Sequence, residues 1–283
     1  LRNIKSSHFS YGKKKRILFN EILSFYSIYK FFFSKKQISV LSYTLRGNIF
    51  VGLSTLFKKD LKHVPMITGL GGIYLSRNEN LFRNLIFKLV FILLNLIFFK
   101  SKKVIFQNID DKKVFSNKNK KFVVIPGSGV NTKYFSKSNF PKNITFMMIS
   151  RLVKFKGVEN FLHLAKKIIS KRKNIFFILV GKRQKDFSLN KNQINKFNKI
   201  KNIKIIPWVS NPKILFKKCS VYILPSKREG MSRSILEAMS SGKPIITTNV
   251  PGCKQAIKNN YNGYLVKYND DLSIYKATEK FIK

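Results

Sequence analysis

The sequence predicts an α/β protein built from two doubly wound, Rossmann-like domains, and three observations carry that expectation. Short apolar runs alternate with runs of helical spacing from end to end, the pattern of a parallel sheet with helices on its faces. A polar stretch, Thr132-Lys-Tyr-Phe-Ser-Lys-Ser-Asn-Phe-Pro141-Lys, interrupts the alternation with the composition of a linker. The length, 283 residues, accommodates two cores of ordinary size. The domains are therefore expected over residues 1–136 and 137–283, with a cleft between them.

In the first domain, residues 38–42, 64–68, 103–107 and 122–125 read as strands, and 48–58 and 79–99 as helices. In the second, residues 143–149, 174–181, 204–206, 220–224 and 244–248 read as strands. A helix over 158–170 turns Phe161, Leu162, Ala165 and Ile168 or Ile169 inward. No repeat period appears, and the only compositional bias is toward lysine and asparagine. The chain opens at Leu1 without a strand and glycine-rich turn, so the first domain is expected to be truncated at its N-terminus.

Composition narrows the function classes. A hydrophobic content of 44% with 27 Phe excludes a disordered chain. Two cysteines, Cys219 and Cys253, have no metal-ligand spacing and give no disulfide framework, which favours a reducing, cytosolic setting. Lys and Arg number 56 against 12 acids, a net charge of +44. That excess is spread along the whole chain without an aromatic RNA-binding signature or paired Cys/His spacing, so nucleic acid is not the expected partner. An anionic membrane surface is, because clustered basic residues gain roughly 1 kcal/mol each near one. Nothing resembling a signal peptide opens the chain. Residues 89–99 run eleven residues without a charge, short of a span. They read as a core helix of the first domain or as an interfacial helix lying on the bilayer.

Two loops carry candidate chemistry. After the apolar run 221–224 comes Pro225-Ser-Lys-Arg-Glu229-Gly230-Met-Ser-Arg-Ser-Ile-Leu-Glu237, which puts two carboxylates eight residues apart across a glycine turn and a helix start. Ligands of open α/β sheets bind at such strand exits, where helix amides face outward. Glu229 and Glu237 can accept hydrogen bonds from a polyhydroxylated ligand, and the amides of Gly230, Met231 and Ser232 suit an anion. Glu237 also has a structural reading, as the glutamate of a Ser234-x-x-Glu237 capping box. The second loop, Ser150-Arg151-Leu-Val-Lys154-Phe-Lys156-Gly157, follows a strand and runs into a helix. There Arg151 grips phosphate as a fork and Lys156 as a point charge, although either could be a solvated cation in so basic a chain. Histidines 8, 63 and 163 have no nucleophile or acid at motif spacing, and His63 reads as a surface residue. Adjacent acids at 110–111 and 270–271 read as turn or helix-start acids.

The stretch from Arg151 to Val266 resembles the nucleotide-sugar domain of retaining GT-B glycosyltransferases of family 4. The residues that carry this are Arg-x4-Lys-Gly, Leu179-Val-Gly181, Pro225-Ser226, Glu-x7-Glu with Ala238-Met239, Gly242-Lys-Pro244 and Asn262-Gly263. The wording around Arg228–Met239 and Thr247-Thr-Asn-Val-Pro-Gly-Cys253 resembles the bacterial capsule, O-antigen and lipid-linked-glycan branch, including N-acetylgalactosaminyl transferases. Ser42-Tyr-Thr44, Ile67-Thr-Gly-Leu-Gly71, Phe106-Gln-Asn-Ile-Asp110 and Ile125-Pro-Gly-Ser-Gly-Val-Asn131 fit that branch's first domain.

The resemblance implies transfer from a UDP-sugar to a polyprenyl-diphosphate-linked glycan at the cytoplasmic face of the plasma membrane. It assigns the diphosphate to Arg151 and Lys156, the ribose to Glu237, and the sugar to Glu229 with the amides of Gly230, Met231 and Ser232. The base goes to Gly181 and the Pro207-Trp208-Val209 loop, and the acceptor side to Gly69, Gly71 and Gly72. Where many relatives carry a histidine in a first-domain loop facing the sugar, this chain has Thr68-Gly69-Leu70-Gly71. No DxD motif is present, and neither a cofactor nor a metal is expected. The competing readings are a fragment that binds a nucleotide sugar without turnover, a basic nucleic-acid binder, and a phosphorylase-like or sucrose-type GT-B enzyme.

Overall fold

A computed structural model describes residues 17–33, 38–56, 58, 61–116, 118–184 and 189–282, so His8 lies outside the described residues. The chain divides into two compact units, Leu1–Ile125 and Pro126–Lys283. The division falls before the expected 136/137 because the polar stretch packs on the second unit. Phe135 is buried there against Phe216. Lys243 Nζ donates to the carbonyls of Ser138 (2.9 Å) and Asn139 (3.0 Å), and Ser240 Oγ to that of Phe135 (2.7 Å).

The first unit contains α1 (Ile17–Phe33), β1 (Ser39–Tyr43), α2 (Leu45–Thr55), β2 (Lys62–Ile67), α3 (Gly71–Ser76), α4 (Leu81–Lys100), β3 (Val104–Phe106), α5 (Ile109–Phe115) and β4 (Phe122–Val124). Its sheet runs β1-β2-β3-β4, all parallel. Ile67, Leu94, Ile97, Phe98, Val104 and Phe106 form the core. His63 is not on the surface. It is 6% exposed, with Nε2 2.7 Å from Ser42 Oγ, which itself donates to Asn48 Oδ1 at 2.6 Å. Asn48 Nδ2 donates onward to the Met66 carbonyl at 2.9 Å, so one polar chain ties β1, α2 and β2 together. Desolvation lowers the His63 pKa from 6.5 to about 4.

Helix α4 is longer than the apolar run that announced it, because Asn80 caps it by accepting from the Arg83 amide at 2.8 Å. The core reading holds for one face of this helix, and its other face is exposed. Leu94, Ile97 and Phe98 face the core, whereas Phe82, Leu85, Leu89, Ile92, Leu96 and Phe99 are exposed.

The second unit contains β5 (Thr145–Ile149), α6 (Val158–Lys171), β6 (Phe176–Val180), α7 (Lys191–Asn198), β7 (Ile203–Ile206), α8 (Lys213–Phe216), β8 (Val221–Leu224), α9 (Arg233–Ser240), β9 (Ile245–Thr248), β10 (Gly263–Val266) and α10 (Asp271–Glu279). Six parallel strands lie in the order β10-β9-β8-β5-β6-β7. Counted from β5, this is the 3-2-1-4-5-6 order of the dinucleotide-binding fold, with its switch point between β5 and β8. Phe161, Leu162, Ala165 and Ile168 face the sheet as their spacing predicts, joined by Leu164; Ile169 packs at the margin.

Candidate functional site

The switch point brings the two candidate loops together. β5 and β8 are hydrogen-bonded neighbours, with Phe146 opposite Val221 and Met147 opposite Tyr222. Their exits then lock onto each other. The Lys227 amide donates to the Phe155 carbonyl at 2.7 Å, and Ser226 Oγ to the same oxygen at 3.3 Å. Gly157, at φ 73°, is where the first loop turns into α6; a Cβ there would lie 2.2 Å from the Pro225 carbonyl oxygen, a contact only glycine permits.

Lys156 Nζ is paired directly with Glu229 Oε1, and both side chains are nearly buried. The Arg151 side chain, by contrast, is exposed beside Phe155, its guanidinium carbon 6.0 Å from the ring centre, and makes no ion pair among the described residues. Lys156 and Glu229 thus neutralise each other where the two loops meet, with the Arg151 guanidinium at the rim.

Helix α9 begins one residue after Ser232, whose Oγ accepts from the Ile235 amide at 3.4 Å. The capping box expected at Ser234 therefore does not form, because Glu237 lies a turn inside the helix. Its carboxylate accepts from Arg233 Nε at 2.9 Å, four residues back. Glu237 is buried; desolvation raises its pKa, and the Arg233 charge and hydrogen bond oppose the rise.

The amides of the turn are not all open. The Ser232 amide donates to the Gly252 carbonyl at 3.1 Å, so it is unavailable to an anion, contrary to expectation. Gly230 and Met231 are half-buried, and the Met231 side chain packs where a Cβ on Gly127 would fall, at 2.6 Å from Met231 Cγ.

Beyond β6 and β7, Leu152, Gly181, Lys182, Arg183, Pro207 and Trp208 line a largely apolar cavity of about 500 Å³. Gly181 is required there, since a Cβ would meet the Ser150 carbonyl oxygen at 1.8 Å. Val209 instead packs toward the core and is not among the lining residues. Sequence reasoning missed Lys182 and Arg183, hidden in a lysine-rich background, and placed Gly127 with the first domain, because it precedes the expected boundary.

Gly69 lies on the loop leaving β2, and Gly71 and Gly72 open α3, all in the first unit. Gly69 (φ 126°) and Gly71 (φ 49°) need glycine's freedom, and nothing crowds Gly72. Asp111, fully buried at the start of α5, holds this loop by accepting from the Leu70 amide at 3.3 Å. His163 is exposed on α6 against Phe197. Among the described residues, no three His, Cys, Asp or Glu side chains cluster as a metal site.

The sequence profile described as Glycosyl transferases group 1 matches residues 130–283, more than half of the chain. The chain belongs to that family. Its relatives include an N,N'-diacetylbacillosaminyl-diphospho-undecaprenol α-1,3-N-acetylgalactosaminyltransferase of Campylobacter jejuni, 28% identical over 239 residues, covering 78% of this chain and 61% of that protein. A UDP-Gal:α-D-GlcNAc-diphosphoundecaprenol α-1,3-galactosyltransferase of Escherichia coli is 32% identical over 137 residues, 48% of this chain and 35% of that one.

Among solved structures, Anabaena HepE in complex with UDP superposes with a TM-score of 0.72 at 16% identity, over 92% of this chain and 72% of that one. This likeness establishes the fold class, α/β with two Rossmann-like units as in GT-B proteins. The chain spans about a third to three-fifths of the length of the curated relatives it matches.

Proposed function

We propose that this family member is a retaining glycosyltransferase that moves a HexNAc or hexose from a UDP-sugar to a polyprenyl-diphosphate-linked glycan in cell-surface polysaccharide synthesis. The observation that carries the reading is the direct Lys156–Glu229 pair at the switch point of the second unit, with Arg151 exposed on the same loop as Lys156. In this reading the donor's diphosphate takes Lys156 away from Glu229 and recruits Arg151, and Glu229 turns to the sugar hydroxyls. Glu237 takes the ribose hydroxyls, and the cavity beside Gly181 and Trp208 takes the base. The names of the two relatives, both acting on diphospho-undecaprenol-linked sugars, support the lipid acceptor.

During transfer the bond from the anomeric carbon to the diphosphate oxygen breaks while the acceptor hydroxyl oxygen bonds the same face of that carbon. The acceptor's proton passes to the departing diphosphate. Arg151, Lys156 and the α6 amides stabilise the charge that develops there.

The membrane surface is the expected meeting place with the acceptor. α4 is 20 residues long with mean hydropathy 2.0 and is long and apolar enough to cross a membrane, but its inner face is committed to the first unit's core. Its exposed stripe fits an interface with an anionic bilayer. A second copy of the chain is the weaker occupant, since two bodies each carrying +44 repel.

Turnover tests the proposal: purified protein should transfer labelled sugar to a polyprenyl-diphosphate-linked acceptor, and Glu229→Ala should abolish transfer while leaving the fold intact. Unchanged turnover in the variant would refute the assignment. Binding of UDP-sugar by the wild type without any turnover would favour the binding-only reading.

A further inference from the structure

The loop after β9, Asn249-Val-Pro-Gly-Cys253, touches the Glu229 turn at two backbone positions. The Glu229 amide donates to the Pro251 carbonyl at 2.9 Å, and the Ser232 amide to the Gly252 carbonyl at 3.1 Å. These bonds bracket the turn on both sides of Gly230 and Met231. The fit is tight enough that a Cβ on Gly252 would lie 2.2 Å from the Glu229 carbonyl oxygen and 2.7 Å from its Cβ. Gly252 also has φ 75°, a conformation that L side chains adopt at a cost.

Backbone bonds hold this loop, from the Asn249 amide to the Val266 carbonyl (2.8 Å) and from the Cys253 amide to that of Val250 (3.2 Å), and a side chain reaches its Gly252 amide: Gln255 Oε1 accepts from it at 2.8 Å. β9 itself grips β8's exit through Thr247 Oγ1, which donates to the Leu224 carbonyl at 2.7 Å, and Thr248 Oγ1, which donates to that of Ser226. The backbone that presents Glu229 is therefore templated by the neighbouring strand's exit loop.

We infer that Gln255, acting through Gly252, is the positioning residue that sets Glu229 for the donor sugar. The inference rests on the reading of Glu229 given under Proposed function. The chain of contacts runs from Gln255 Oε1 to the Gly252 amide, and from the Pro251 and Gly252 carbonyls to the Glu229 and Ser232 amides. Releasing its first link loosens the Gly252 end of the loop, and with it the turn, without removing any group assigned to the ligand. Gly252→Ala would strain the same contacts more severely and could prevent folding, so Gln255 is the position to vary.

Two substitutions and two measurements separate the possibilities. Gln255→Met removes the acceptor at similar length, and Gln255→Glu keeps an oxygen in its place. In the unliganded chain, hydrogen exchange at the Glu229 and Ser232 amides should be roughly three- to tenfold faster in Gln255→Met, the worth of one hydrogen bond, and near wild type in Gln255→Glu.

With UDP and UDP-N-acetylgalactosamine as probes, Gln255→Met should leave UDP affinity within about twofold while lowering the transfer rate at saturating donor roughly tenfold; Gln255→Glu should restore it. A wild-type exchange rate in Gln255→Met, or an equal loss of UDP affinity and transfer, would overturn the positioning role. Glu229→Ala serves as the control for the underlying reading. If it behaves like wild type, the sugar assignment fails and the inference with it; if it is impaired while Gln255→Met is not, only the positioning role falls.

Discussion

His63 gives the first unit a pH dependence whose size follows from its burial. The ring is held between β1 and α2 by Ser42, which spends its own proton on Asn48, so the imidazole donates Nε2–H and stays neutral. Its pKa is lowered from 6.5 to about 4 by desolvation. Between those values the unfolded chain takes up a proton that the folded unit refuses. Stability therefore declines as pH falls through this window and is unaffected above it. A shift of this size corresponds to roughly 3 kcal/mol when fully developed, most of which is lost by pH 4.5.

His63→Gln retains a donor but cannot titrate. The assay is denaturant-dependent hydrogen exchange of the β1 and β2 amides at pH 7.5 and 4.5, since the single tryptophan, Trp208, belongs to the other unit. Comparing the pH-dependent loss in wild type and variant removes the fixed cost of the substitution and the titration of other groups. We expect the wild type to lose roughly 2–3 kcal/mol more than His63→Gln between the two pH values. Equal losses would show that His63 is solvated and that the Ser42–Asn48 link does not exclude water.

Three further outcomes are expected. Gly157→Ala should cost about 2 kcal/mol or more, from the overlap with Pro225 and the left-handed backbone, seen as a lowered midpoint of the second unit's denaturation; a change within about 0.5 kcal/mol would mean the two loops separate easily. Replacing Leu85, Leu89, Ile92 and Leu96 together by serine should abolish co-sedimentation with phosphatidylglycerol-containing vesicles while circular dichroism stays unchanged; retained binding would assign the membrane to another surface. Transfer should survive chelation of divalent cations, because Arg151, Lys156 and the α6 amides meet the departing diphosphate's charge; complete loss with EDTA would show that a metal shares that task.

What the sequence disclosed and what it hid follow from the range of the interactions. The strands and α6 were legible because one buried face imposes a local period, as Phe161, Leu162, Ala165 and Ile168 show. The Arg151–Lys156 and Glu229 loops were legible because glycines and charges cluster at strand exits. The direct Lys156–Glu229 pairing was not, since it depends on strand order across 73 residues. His63 looked superficial for the same reason: its partner Ser42 is 21 residues away on a neighbouring strand.

The occupied Ser232 amide came from a third segment, the loop at Gly252. The domain boundary shifted because a polar stretch can pack through one aromatic, Phe135, and its backbone carbonyls. Glu237 lost its capping role because the helix starts at the preceding serine of two that could cap it.

The decisive measurement is a thermal-shift comparison of UDP-, GDP- and ADP-sugars on wild type, Arg151→Ala and Glu229→Ala. A ligand of the native state at a hundredfold its Kd adds about 2.7 kcal/mol. We expect a UDP-sugar to raise the wild-type midpoint, with the rise reduced in both variants. If no nucleotide sugar shifts the wild type, or if both variants respond as the wild type does, then Arg151, Lys156 and Glu229 do not form a donor site.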